Sequence, residues 1–160
     1  MFEKIVVPLD GTKLSEVSLP YASEMARKFK ASLLLIRVVA PTAVVASGVE
    51  GPSAVRLMVE TAQLADMKNV EDARTYLEGV ASELKGPALK VETFAALGGP
   101  ADQVLKLCKD KGASLVVMTT HGRTGIRRAV LGSVADEIVR SSVVPVLVIR
   151  PEEKKPAKKK

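Results

Sequence analysis

The sequence predicts a single α/β domain built on a five-stranded parallel sheet with helices on both faces. Three observations carry that expectation. Five short β-prone apolar runs alternate with four longer stretches whose apolar residues recur at helical spacing, the pattern of β-α-β units. Aromatic residues make up only 3% of the chain, so the core is Val, Leu, Ile, Ala and Met, which suits strands buried on both faces. With 160 residues and 47% apolar content, the chain is long enough for one core without staples.

Residues 4–9, KIVVPL, form the first expected strand, which ends near Pro8 because proline cannot donate to an interior ladder. From 13 to 30, Leu14, Val17, Leu19, Tyr21, Ala22, Met25, Ala26 and Phe29 recur at helical spacing, and Pro20 within them marks a kink or a helix start. Residues 32–39 are a second strand, interrupted in polarity only by Arg37. Two prolines and two glycines make 40–53 a long loop. A charged helical pattern runs over 54–84 and stops at Gly86-Pro87. Residues 90–97 are a third strand, and Pro100 opens a helix that closes at Gly112. A fourth strand covers 114–119, a helix covers 133–141, and a last strand covers 144–150.

Composition excludes several classes. The single cysteine, Cys108, permits no internal disulfide and no cysteine metal cluster, which fits a reducing cytoplasmic setting. It lies in a helical pattern beside Val104, Leu105 and Leu107 and reads as a buried small hydrophobe. The first ten residues are too short an apolar run for a signal peptide, and no stretch approaches a membrane span, so no membrane partner is expected. Of the net charge of +6, half lies in the last ten residues, with five Lys and two Glu. Residues 1–150 are therefore read as the domain and 151–160 as a disordered basic tail. A nucleic-acid partner ranks last, because aromatic stacking residues are scarce.

In parallel sheets, ligands bind beyond the carboxyl ends of the strands where the strand order switches. That rule points to 8–11, 38–41 and the segment from Thr119 onward. The last is the most informative: His121-Gly-Arg-Thr-Gly-Ile-Arg-Arg-Ala-Val-Leu-Gly-Ser133 leaves a strand and enters a helix. Gly122 and Gly125 allow close backbone approach, and the helix start at Gly132-Ser133 offers free amides with the positive end of the helix dipole. Arg123, Arg127 and Arg128 add charge, so a polyphosphate fits. The same residues also read as turn glycines, a helix-capping serine and a solvated basic face. Neither G-x-x-x-x-G-K-[ST] nor a G-x-G-x-x-G after the first strand occurs. His121 is the one histidine and has no Cys or His partner nearby, so it reads as lining a ligand or packing a loop, not as a metal ligand. Asp10 suits a hydroxyl donor such as a ribose, and equally a cap of the following helix.

The stretch VVMTTHGRTGIRRAVLGSVADEIVRSSVVPVLVIR, together with KIVVPLDGT at the start, resembles the universal stress protein (UspA) family in its ATP-binding branch. The resemblance runs to Arg150. The family pattern is G-x-x-G, nine residues, then G-[S/T]; here Gly122 is its second glycine and Gly132-Ser133 its end, while Thr119 stands at the first glycine. The resemblance implies an adenine nucleotide alpha hydrolase-like, Rossmann-like fold and ATP (or AMP or ADP) with Mg²⁺. It places Pro8 and Asp10 by adenine and ribose, and the Val38 backbone on the adenine edge. Thr119, Thr120, His121, Gly122, Arg123 and Thr124 would wrap ribose and phosphates. The main-chain amides of Gly132, Ser133 and Val134 would hold the outer phosphates. It also implies a homodimer through the final strand at 146–150. The expected function is a nucleotide-dependent switch in stress response, with at most weak, slow ATPase activity because no residue stands out as a base. The alternative is a nucleotide-free dimeric adaptor of the same fold, which Thr119 favours.

Overall fold

The structure, a computed structural model, describes residues 1–45, 51–84, 86, 89–120 and 131–151. The elements run β1 (Lys4–Pro8), α1 (Lys13–Glu16), α2 (Ser18–Phe29), β2 (Ser32–Val39), α3 (Pro52–Leu84), β3 (Val91–Leu97), α4 (Pro100–Lys111), β4 (Leu115–Thr119), α5 (Ser133–Ser141) and β5 (Val146–Ile149). All five strands are parallel, in the order β3-β2-β1-β4-β5. The expected five-stranded parallel sheet is therefore present.

Side chains alternate across each strand and build two cores. Ile5, Val7, Leu33, Leu35 and Val117 face α2 and α3, where they meet Leu19, Ala22, Ala26, Leu77 and Val80. Val6, Leu34, Ile36, Val116 and Met118 face α4 and α5, where they meet Val104, Leu107, Cys108, Ala135 and Ile138. Both faces are covered, which is why these strands carry unbroken apolar runs.

Three boundaries differ from the sequence expectation. The helix expected over 13–30 is split at Val17 into α1 and α2. Pro20 has no N–H to give the Glu16 carbonyl and its ring would strike it, so the chain restarts with Pro20 in the first turn of α2. The helix expected from 54 begins at Pro52, where a proline costs nothing because a first-turn N–H has no intrahelical partner. The last strand spans Val146–Ile149 and not 144–150, since Pro145 contributes only its carbonyl, which accepts from the Val116 amide at 3.0 Å. Gly112 ends α4 in the left-handed conformation (φ 61°), as its position implied.

Candidate functional site

Strand β1 is the branching point of the sheet: the chain winds outward to β2 and β3 on one side, then crosses to β4 and β5 on the other. The helices after β1 and β4 diverge there and leave a crevice at the carboxyl ends of the strands. A cleft of about 280 Å³ occupies that place. Pro8, Asp10, Val38, Thr119, Thr120, Gly132, Ser133 and Val134 all line it. His121, Gly122, Arg123 and Thr124 lie outside the described residues, as do Gly125, Arg127 and Arg128. The sequence reading did not single out Leu9, Ile36, Pro100, Val104, Met118 and Ala135, which make the cleft's apolar wall. Their signal was present but weak: each sits at the carboxyl end of a strand or in a helix that follows one.

Asp10 has two distinct environments. Its Oδ1 accepts from the Thr12 amide at 2.9 Å and from the Thr12 hydroxyl at 2.6 Å. Thr12, not Asp10, is the cap of α1, its hydroxyl accepting from the Ser15 amide at 3.2 Å. The Asp10 amide in turn donates to Ser15 Oγ at 3.3 Å. Oδ2 is buried and has no hydrogen-bond partner among the described residues. Burial raises the Asp10 pKa, but hydrogen bonds from the Thr12 hydroxyl and amide and from Ser15 outweigh it, holding the carboxyl below its ordinary 3.8. The side chain is thus an ionised acceptor with one oxygen committed to the loop and one left over.

The opposite wall is the start of α5. Gly132 precedes the helix in extended backbone (φ −59°, ψ 154°), and no side chain caps the first turn. The Gly132 amide donates to the Thr120 carbonyl at 2.9 Å. This corrects the expectation that Gly132 offers its own amide to phosphate: that donor is committed to the Thr120 carbonyl just after β4. The Thr120 amide is likewise committed, to the Ile149 carbonyl at 3.1 Å, prolonging the β4–β5 ladder. Ser133 and Val134 line the cleft, and among the described residues no side chain caps the first turn of α5, whose amides have no partner within the helix.

A larger hollow of about 530 Å³ follows α3, lined by Gln63, Asp66, Met67, Val70, Arg74 and Leu97 among others. It offers less chemistry. The Asp66 carboxylate is engaged by the Thr42 amide (2.9 Å) and hydroxyl (2.6 Å), and Glu71 by Arg74 at 3.0 Å. The cleft at the strand ends is the candidate site, because the start of α5, the Asp10 carboxylate and an apolar wall all line it. No group of three or more metal-ligating side chains occurs among the described residues. None of their helices is long and apolar enough to cross a membrane.

Cys108 sits behind the site in α4 as a buried thiol, with burial pushing its pKa up to about 11. It is expected to resist alkylation at pH 8 in the folded protein and to react fully once unfolded, because thiolate is the reactive form. Rapid modification of the native protein, followed by mass spectrometry, would contradict this placement.

The universal stress protein family model matches residues 1–150. The chain is 31% identical over 154 residues to universal stress protein MJ0531 of Methanocaldococcus jannaschii, covering 96% of this chain and 85% of that one. It is 26% identical over 156 residues to MJ0577 of the same organism, covering 94% and 96%. The solved structure of MJ0577 superposes with a TM-score of 0.78 at 24% identity, covering 96% of this chain and 99% of that one. Two further structures share the fold: a universal stress protein in complex with cAMP (TM-score 0.58, 21% identity, 94% and 98% covered) and one from Archaeoglobus fulgidus in complex with dAMP (TM-score 0.59, 18% identity, 93% and 98% covered). With its sheet order, its cleft and a family match spanning every element from β1 to β5, the chain belongs to the universal stress protein family.

Proposed function

We propose that the cleft binds an adenine nucleotide, ATP, and that the protein acts as a nucleotide-dependent switch in a cytoplasmic stress response. The observation that carries the reading is that Asp10, whose Oδ2 is buried and unpartnered, lines the same cleft as the start of α5. A carboxylate oxygen accepts from a ribose hydroxyl, and first-turn amides take a phosphate. The apolar wall of Pro8, Leu9, Ile36, Val38 and Val104 suits a base. Nucleotide-bound relatives of the same fold support it. Thr119, Thr120, His121, Gly122, Arg123 and Thr124 take the ribose and phosphates, with Ser133 and Val134 on the outer phosphates. Mg²⁺ would enter with the nucleotide and supply charge neutralisation for its phosphates. Hydrolysis of the bound nucleotide is at most slow. Mass analysis of nucleotide retained through purification, followed by titration of ATP into nucleotide-free protein, tests this. Saturable binding supports it, and no binding of any adenine nucleotide overturns it.

Thr119 keeps a second reading in view. Thr119 lines the cleft at the position where the family pattern has glycine, which favours a dimeric adaptor that holds no nucleotide.

The homodimer belongs to both readings. β5 pairs with β4 on one side only and is an edge of the sheet. Leu147, Val139 and Val143 are exposed around it, Val143 at 94%. Such an edge invites pairing with a second copy. Replacing Leu147 by Glu is expected to raise the dimer dissociation constant by at least ~10-fold, a loss of about 1.4 kcal/mol, with unchanged circular dichroism. Sedimentation of an entirely monomeric wild type would end this proposal.

A further inference from the structure

Arg37 interrupts an otherwise apolar strand, and its position explains the interruption. It leaves the carboxyl end of β2 on the face of Leu33 and Leu35, opposite the face that carries Ile36 and Val38. There its guanidinium lies against the turn between β1 and α1. Gly11 has φ 86°, and a Cβ built on it would stand 2.9 Å from Arg37 Cζ and 3.0 and 3.1 Å from the two terminal nitrogens. These near-equal distances mean that the guanidinium presents its flat face to the glycine. A larger residue at 11 is strained by the backbone conformation and would also have to displace the Arg37 guanidinium from its place over Tyr76.

The guanidinium is itself held. Its Cζ lies 5.0 Å from the centroid of the Tyr76 ring, a cation–π contact. Tyr76 comes from α3, and its hydroxyl donates to Glu16 Oε1 of α1 at 3.0 Å. Glu16 Oε2 takes Lys13 Nζ at 2.7 Å. Burial first, and then the Glu16 carboxylate, raise the Tyr76 pKa, so the hydroxyl keeps its proton. Side chains from α1, α3 and β2 thus form a relay that ends on Gly11, and the residue before it is Asp10.

We propose that Arg37 is a positioning residue: held by Tyr76, it locks the Gly11 turn and so fixes Asp10 at the cleft, with Oδ1 on Thr12. The consequence for affinity rests on the nucleotide reading above, whereas the lock itself does not. Arg37 serves both contacts because its guanidinium is planar, stacking on an aromatic ring and lying flat beside a glycine; a lysine supplies charge without the plane.

The test uses the full chain with Arg37→Met and Arg37→Lys, Tyr76→Phe as a control that keeps the ring, and Asp10→Ala alone and combined with Arg37→Met. Hydrogen exchange of the Thr12 amide, which Asp10 Oδ1 accepts, reads the lock directly. It is expected to quicken roughly 10-fold in Arg37→Met, the scale of one lost cation–π contact, less in Arg37→Lys, and little in Tyr76→Phe. ATP affinity should fall by a similar factor in Arg37→Met. In the Asp10→Ala background Arg37→Met should cost nothing further, because the effect passes through Asp10. Unchanged Thr12 exchange in both Arg37 variants overturns the proposal, and so does full additivity with Asp10→Ala. If wild type binds no nucleotide while Thr12 exchange quickens as stated, the lock stands and only the nucleotide reading fails.

Discussion

Replacing Gly132 by Val is expected to weaken ATP binding by at least ~100-fold, about 2.7 kcal/mol. The backbone at 132 is ordinary extended conformation (φ −59°, ψ 154°), so a side chain meets no dihedral penalty. The obstacle is space. A Cβ there would lie 3.2 Å from the Thr120 carbonyl oxygen, the same oxygen that accepts from the Gly132 amide. The carbonyl has to give by a few tenths of an ångström, and the two methyls of valine then project where α5 opens onto the cleft. Overpacking of this kind costs roughly 1–3 kcal/mol of stability. Gly132→Ala asks for the small adjustment alone and should lose no more than ~10-fold in affinity. Calorimetric titration of the three proteins, with thermal unfolding beside it, checks both numbers. Equal ATP affinity in Gly132→Val and wild type would place the phosphates elsewhere.

Asp10 has the second large effect, and two substitutions separate its roles. Asp10→Ala leaves the Thr12 amide and hydroxyl without their shared acceptor and should cost roughly 1–2 kcal/mol of stability. It also removes the orphan oxygen, and a lost hydrogen bond to a charged group costs roughly 1.5–3 kcal/mol, or ~10- to 150-fold in ATP affinity. Asp10→Asn keeps an acceptor for Thr12 and puts an amide donor in place of the unpartnered oxygen. It should fold nearly as stably as wild type while still binding ATP poorly. Denaturant unfolding and titration on the pair decide whether the two oxygens act separately, and equal stability of Asp10→Ala and wild type would refute the loop role. The pH dependence has a definite sign. The folded-state pKa is lowered, so the stability that Asp10 contributes is complete above the unfolded value near 3.8. It is lost only as pH falls through the lowered value, so Asp10→Asn and wild type should converge in strong acid.

Elements whose signals are local could be read from the sequence. β2 spans Ser32–Val39 and α5 spans Ser133–Ser141, the ranges their patterns imply, because an apolar run broken only by Arg37 and a Gly-Ser helix start are properties of neighbouring residues. The cleft was half legible for a related reason. Its glycines and Asp10 advertise backbone freedom and charge, but Ile36, Val104 and Met118 look like any core residue until strand order brings them together. Strand order itself is a long-range outcome with no local signature. The same holds for the Arg37 lock: a cation in a buried strand is an anomaly in the sequence, and only the packing of α3 against β2 supplies Tyr76 as its reason. The Gly132 amide was misassigned because a turn glycine and a phosphate donor look alike until the carbonyl of Thr120 is located.

The account stands on convergence of the Asp10 loop and the α5 start upon one nucleotide. Titration of Mg-ATP into the isotopically labelled chain, followed by amide resonances, tests it directly. The largest saturable shifts should fall on Asp10, Val38, Ser133 and Val134, all moving with one dissociation constant. Shifts confined to the hollow along α3, at Gln63, Met67 and Val70, or no saturable shift at all, would contradict it.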